Sequence, residues 1–197
     1  GGFDHNKQSL RVVTKLEHRF PEFPGLNLSW ETLEGMVKHE SEYDLSDARD
    51  FDPELRGHLE AQITNLADEL AYTAHDLDDG LRSGMIVPEQ LAGISLWQEL
   101  VGLVNWQPCS NLDDLTRHRL IRSLIGMEVT DLVKATDERI QAREVRTRMD
   151  VQKLESNLVG FSDGLRKRNR ELKDFLYQNL YRHWRVLRMQ TKAERFL

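Results

Sequence analysis

Cysteine is nearly absent from this 197-residue chain, in which Cys109 is the only one. A single thiol excludes an internal disulfide and a metal site built from several thiolates. We interpret Cys109 as a packed or half-exposed thiol in a reducing compartment. No stretch approaches the roughly 18 consecutive apolar residues of a membrane span, and the first residues lack the apolar core of a signal peptide. These absences predict a cytoplasmic protein with no membrane partner.

An excess of positive charge is also missing. The chain has 27 Lys and Arg against 33 Asp and Glu, for a formal net charge of −6. This balance argues against broad, non-specific binding of nucleic acid, so the sequence makes no strong case for such a partner. It leaves open a phosphate ligand held by a local basic cluster or through a metal.

No run of four to eight residues alternates between apolar and polar as a half-buried strand does. Almost every segment instead has helical periodicity, which predicts an all-α, multi-helix bundle. The chain is long enough to bury a core as one domain or two small ones. We expect helices over 8–19, from Ser29 to about Lys38, over 58–81, 88–104 and 112–148, and from 166 to 181 with a continuation to 197 left open.

The helix predicted over 58–81 has two contrasting faces. One carries an apolar stripe expected to be buried, formed by Leu59, Ile63, Leu66, Leu70, Leu77 and Leu81. The other carries Asp68, Tyr72, Asp76 and Asp79, and Asp68 lies about 200° around the helix from Leu66. This acidic and aromatic face is either a solvated surface or one wall of a polar site.

Asp68, Tyr72 and Asp76 follow one another at i, i+4 and i+8 and form a ridge about 12 Å long, comparable to a nucleoside. Asp68 could bind a divalent cation, Tyr72 could pack on a sugar, and Asp76 could accept a hydrogen bond from a hydroxyl. For an arbitrary helix, a solvated acidic face is the commoner explanation. The spacing of these three residues alone does not favour a binding site over a solvated face.

Two histidine-containing segments also suggest chemistry. His5, beside Asn6 just ahead of a helix, could exchange a proton with a substrate near neutral pH, although a capping loop explains the segment equally well. The dipeptide His75-Asp76 invites a metal-site assignment. Adjacent helical side chains point about 100° apart, however, so these two do not converge on one ion.

Arg182 is the best phosphate candidate in a basic region near the end of the chain. It lies in an aromatic run with Tyr177, Tyr181 and Trp184. A guanidinium fork suits phosphate oxygens. The alternative is a charged helix face beside core aromatic residues, which we prefer for the cationic run at 166–170.

Several long segments, in order, resemble one known family. The segment 2–13 (GFDHNKQSLRVV) resembles its GFxHNxQSLRVV motif, and 60–84 resembles EAQIxxLADExAYxxHDLDDGLRxG. Shorter matches lie at 24–28, at Lys38-His39 with Tyr43-Asp44, and at 179–183. The chain is therefore similar to the HD-domain deoxynucleoside triphosphate triphosphohydrolases, the dGTPase-like family.

The resemblance implies an HD-domain-like bundle that cleaves a dNTP to the deoxynucleoside and triphosphate. It implies a divalent metal such as Mg²⁺ or Mn²⁺, held in the family by a His, a His-Asp pair and a distant Asp. Asp68 matches that Asp, Tyr72 and Asp76 match deoxyribose contacts, His5 matches a catalytic residue near the phosphates, and Arg182 matches a phosphate contact. Family members assemble, so we also expect a homo-oligomer.

The family's first His and His-Asp pair lie upstream of the segment matched by residues 2–13. We therefore expect a central-to-C-terminal portion of the enzyme, with a substrate and metal-Asp half at 1–106 and a C-terminal helical half at 107–197. With one ligand, this portion should bind metal weakly and hydrolyse nothing alone. The alternatives are a non-catalytic helical module for dNTP binding or oligomer assembly, and a helical interaction domain without a nucleotide site.

Overall fold

The computed structural model describes residues 5–39, 51–107 and 110–196. These ranges contain no β-strand, only isolated bridge pairs, and the predicted all-α class is confirmed. The helices are α1 (His5–Arg11), α2 (Trp30–Val37), α3 (Leu59–Arg82), α4 (Ser95–Val104), α5 (Asp114–Ala142), α6 (Arg148–Gln152), α7 (Asp163–Leu176) and α8 (Trp184–Glu194). Among the described residues, none of these helices combines the length and apolarity required to cross a membrane.

Local signals placed some helix ends correctly and missed others. Ser29 caps α2 as predicted, because its Oγ accepts a hydrogen bond from the Thr32 amide at 3.3 Å. The helix expected over 8–19 begins at His5 and turns into a π-helical segment at Val12–Leu16. The helix expected over 88–104 is divided into a 3₁₀ turn at Pro88–Leu91 and α4. Likewise, the C-terminal helix is divided into α7, a π-helical segment at Tyr177–Tyr181 and α8.

The chain folds as two compact units, which we describe separately. The first comprises residues 1–69 and 136–160, and the second comprises residues 70–135 and 161–197. The boundary falls within α3. The predicted halves at 1–106 and 107–197 remain a prediction.

A buried ion pair anchors α2 in the first unit. Lys38 Nζ donates to Glu34 Oε1 at 2.8 Å and to the carbonyls of Asp52 at 3.1 Å and Leu55 at 2.9 Å. The Lys38 and Glu34 side chains are only 5% and 0% exposed. Gln152 Nε2 donates to the same Glu34 oxygen at 3.0 Å. All three ammonium protons of Lys38 therefore have acceptors, and α2 is tied to the 52–55 segment and to α6.

Gln62 anchors the first turns of α3 through hydrogen bonds of its side chain. Its Oε1 accepts from the amides of Leu158 at 2.8 Å and Val159 at 3.1 Å, and its Nε2 donates to the Gly57 carbonyl at 2.8 Å. Gln62 is 1% exposed, whereas Ile63 is 45% exposed. The predicted burial of Ile63 is therefore wrong, because an amide that satisfies two backbone donors takes the inward position.

The apolar stripe of α3 is buried where the helix enters the second unit. Leu70 and Leu77 are 7% and 0% exposed, as predicted, and Ala74 between them is fully buried. Leu81 is only half-buried. The core of this unit continues through leucines of the later helices, including Leu96, Leu100, Leu120, Leu124, Leu165, Leu172 and Leu176.

Candidate functional site

Asp76 is the most perturbed acid among the described residues of the second unit. It lies on α3, half-buried, and the Tyr181 hydroxyl donates a hydrogen bond to its Oδ2. The pKa of Asp76 is raised to about 6, mainly by burial and then by the charge of Asp79, while His75 opposes the shift. A carboxyl group that titrates near neutrality can accept a hydrogen bond when ionised and donate one when protonated.

Three tyrosines stand beside Asp76, and we call Tyr72, Tyr177 and Tyr181 the tyrosine row. Tyr72 and Tyr181 stack with ring centroids 6.4 Å apart and planes 22° apart, and Tyr177 lies 6.3 Å from Tyr181. Tyr72 is 60% exposed. Burial, and then the Asp76 charge, raise the pKa of the Tyr72 phenol. The row therefore presents an exposed aromatic face beside a titratable carboxyl group.

Arg182 is exposed at the end of this row. Its guanidinium carbon lies 5.1 Å from the centre of the Tyr177 ring, and its Nη2 donates to the Tyr177 hydroxyl at 3.3 Å. Among the described residues, no carboxylate is recorded as its ion-pair partner. The guanidinium thus keeps donors available for an anion.

The sequence pattern singled out Tyr72, Asp76 and Arg182, and the structure places all three in the second unit. It gave Tyr181 no role of its own. The only local signal was the i, i+4 spacing of Tyr177 and Tyr181, which puts both rings on one side of the chain. The partner of Asp76 could not be found this way, since Tyr181 is 105 residues away in sequence.

Asp68 lies in the first unit as an exposed residue of α3. Its carboxylate is a suitable oxygen ligand for Mg²⁺ or Mn²⁺. Over the described ranges, however, no group of three or more His, Cys, Asp or Glu residues is arranged to hold a metal ion. One carboxylate is not a coordination sphere, so the described residues do not make a metal centre by themselves.

Of the two histidine segments, only one can be assessed. α1 begins at His5, but the His5 side chain lies outside the described residues, so its catalytic role remains a prediction. His75 is exposed on α3, where it lowers the pKa of Asp76. The cysteine at 109 also lies outside the described residues.

Comparison with known proteins first defines a class. Residues 159–197 match a family model described as a phosphohydrolase-associated domain. The matched segment contains Tyr177, Tyr181 and Arg182. This segment is therefore similar to a domain associated with phosphohydrolases.

Relatives that match the whole chain carry a more specific name. Over its full length the chain is 48% identical to a deoxyguanosinetriphosphate triphosphohydrolase-like protein of Geobacter sulfurreducens, and covers 52% of it. It is 47% identical to the protein of that name in Geobacter metallireducens, again with 52% covered. It is 41% identical to the protein of that name in Brucella suis and covers 53% of it. The chain is thus similar over its full length to proteins named dGTPase-like, and it spans about half the length of these relatives.

Proposed function

We propose that the chain is part of a metal-dependent triphosphohydrolase that cleaves a dNTP to a deoxynucleoside and triphosphate. The names of its relatives support a hydrolase of this kind, although the chain covers only half of each relative. The observation that carries the proposal is the hydrogen bond between Tyr181 and Asp76 beside the exposed ring of Tyr72. This arrangement suits a deoxyribose, which has an apolar face and one free hydroxyl at its 3′ carbon.

In this proposal, Asp76 binds the sugar hydroxyl and Tyr72 packs against the sugar ring. One carboxylate oxygen accepts a hydrogen bond from the sugar hydroxyl, while the Tyr181 hydroxyl donates to the other oxygen and fixes the direction of the carboxylate. Because Asp76 is half-buried, this hydrogen bond competes less with water than it would at a fully exposed position. Arg182 moves from the Tyr177 ring to the phosphates, where a charge-assisted hydrogen bond is stronger than its present contact.

At the phosphate end, we propose that Asp68 supplies one ligand to a divalent cation such as Mg²⁺ or Mn²⁺. The other ligands come from outside the described residues. His5 is proposed as the catalytic group near the phosphates, because its segment resembles the family's GFxHNxQSLRVV motif.

A second candidate is a non-catalytic helical module that binds a dNTP or assembles a homo-oligomer. The single exposed carboxylate at Asp68 favours it, because the described residues contain no group able to hold a metal. Such a module would use Asp76, the tyrosine row and Arg182 to bind the nucleotide without cleaving it.

Calorimetric titration of dGTP and deoxyguanosine into the 197-residue chain, with and without Mn²⁺, separates the candidates. Triphosphate release is measured in parallel. Binding that needs Mn²⁺ and that Asp76→Ala weakens about tenfold supports the triphosphohydrolase, whereas metal-independent binding favours the module. The matched control is Glu89→Ala, an exposed acid of the same unit. Unchanged binding by Asp76→Ala would contradict both candidate functions. It would favour a helical interaction domain without a nucleotide site.

A further inference from the structure

Two histidines of the first unit have contrasting hydrogen bonds. His58 is 8% exposed, and both of its ring nitrogens are used. Its Nε2 donates to the Glu31 carbonyl at 2.9 Å, and its Nδ1 lies 3.0 Å from Glu60 Oε2 and 3.3 Å from the Ala61 amide nitrogen. His58 is therefore a structural residue whose ring has no nitrogen left for a ligand.

His39 uses only one ring nitrogen. Its Nδ1 lies 2.5 Å from Asn65 Oδ1, and since an amide oxygen only accepts, Nδ1 carries the proton and donates. Within the described ranges, its Nε2 has no recorded hydrogen bond, and the residue is half-buried rather than enclosed. A histidine held through one nitrogen, with the other unengaged, is the usual arrangement of a ring that is oriented toward a ligand.

The backbone of His39 is also held firmly. Lys38, the preceding residue, is the buried ammonium with three acceptors described above. The His39 carbonyl accepts from Asn6 Nδ2 at 3.3 Å, so this residue is tied to α1 as well. The backbone at His39 is therefore held by α1 and α2, and the imidazole is held by Asn65 of α3.

This position is next to the residues proposed for the phosphate end. Asn65 lies three residues before Asp68 on α3, a spacing that puts both on one helix face. Asn6 directly follows His5. The ring of His39 thus contacts the segment that carries Asp68, and the His39 backbone contacts the segment that carries His5. All of these residues belong to the first unit.

We propose that His39 Nε2 binds a phosphate oxygen of the nucleotide, with Asn65 as the residue that orients the ring. The proposal rests on the proposed function, because it assumes a nucleotide whose phosphates lie near Asp68. Binding a phosphate requires a proton on Nε2, so His39 engages the anion as an imidazolium with Nδ1 still bonded to Asn65.

The test compares three ligands on the full 197-residue chain: inorganic triphosphate, dGTP and deoxyguanosine. His39→Ala should weaken triphosphate and dGTP binding about tenfold and leave deoxyguanosine binding unchanged. His39→Gln, whose amide restores a donor, should recover most of the loss. Asn65→Ala should give an intermediate loss. His18→Ala, at an exposed histidine of the same unit, is the matched control and should change nothing.

A spectroscopic readout distinguishes contact from a folding effect. In ¹⁵N-labelled protein, triphosphate should shift the Nε2 signal of His39 and leave that of His58 unchanged. Equal losses for all three ligands in His39→Ala, or no rescue by His39→Gln, would show a structural role and overturn the proposal. If wild type binds dGTP and His39→Ala binds it equally well, the His39 proposal fails alone. If wild type binds neither dGTP nor triphosphate, the proposed function fails with it.

Discussion

The hydroxyl of Tyr181 donates a hydrogen bond to Asp76 Oδ2 across 105 residues of sequence. It joins the π-helical segment after α7 to the second half of α3. The acceptor is the carboxyl group whose pKa burial raises to about 6. A donor to the ionised carboxylate favours the charged form, so this hydrogen bond and burial act on Asp76 in opposite directions.

Tyr181→Phe should raise the pKa of Asp76 above its present value of about 6. The substitution removes the hydroxyl that favours the carboxylate and keeps the ring that stacks on Tyr72. NMR titration of the Asp76 side-chain carboxyl carbon measures the change directly. Tyr177→Phe is the control, because its hydroxyl contacts Arg182 instead. A pKa that is unchanged or lower in Tyr181→Phe would show that the hydroxyl does not stabilise the carboxylate.

Asp76→Asn should stabilise the chain at pH 8 and change little below pH 4. The folded pKa, about 6, lies above the ordinary aspartate value of 3.8, so the folded state holds the proton more tightly. This contribution is present below the unfolded pKa and is lost as the pH rises through the folded pKa. Because Asp76 is partly solvated, we expect Asp76→Asn to raise the free energy of unfolding at pH 8 by only about 1 kcal/mol. Urea unfolding at both pH values measures it, and an equal effect at both would contradict the assignment.

Lys38→Met should destabilise the chain by about 3–5 kcal/mol, because it leaves the Glu34 carboxylate buried without its cation. Urea unfolding followed by circular dichroism measures the loss. The double variant Glu34→Leu with Lys38→Met removes both charges and should recover much of the stability. If Lys38→Met costs less than about 1 kcal/mol, the pair is not the anchor of α2.

Comparing Gly25→Ala with Gly84→Ala separates two costs of adding a Cβ atom: backbone strain at positive φ, and steric overlap with neighbouring atoms. Both glycines have positive φ, +85° and +67°. A Cβ at Gly25 would lie 2.7 Å from the carbonyl oxygens of Val13 and Thr14, whereas one at Gly84 would meet nothing within 4 Å. We expect about 1 kcal/mol of destabilisation at Gly84 and about 3 kcal/mol or more at Gly25. Equal losses in thermal unfolding would mean that the loop at Gly25 adjusts freely.

Sequence reasoning was most successful where the signal is local. The cap at Ser29 and the span of α3 were predicted because a capping side chain and a helical period act within one or two turns. It failed at Ile63, which resembles a core residue in the pattern but is exposed. Gln62 is buried instead because it serves the amides of Leu158 and Val159, 96 and 97 residues away.

The sequence by itself determined the helical class, the family resemblance, and the alignment of Asp68, Tyr72 and Asp76 on one face of α3. Helical geometry fixes that alignment whatever else the chain does. Tertiary structure alone decided that Asp76 is half-buried, that Tyr181 is its donor, and that His39 is held by Asn65. Desolvation and long-range hydrogen bonds depend on which segments pack together, and no pattern within one helix specifies its neighbours.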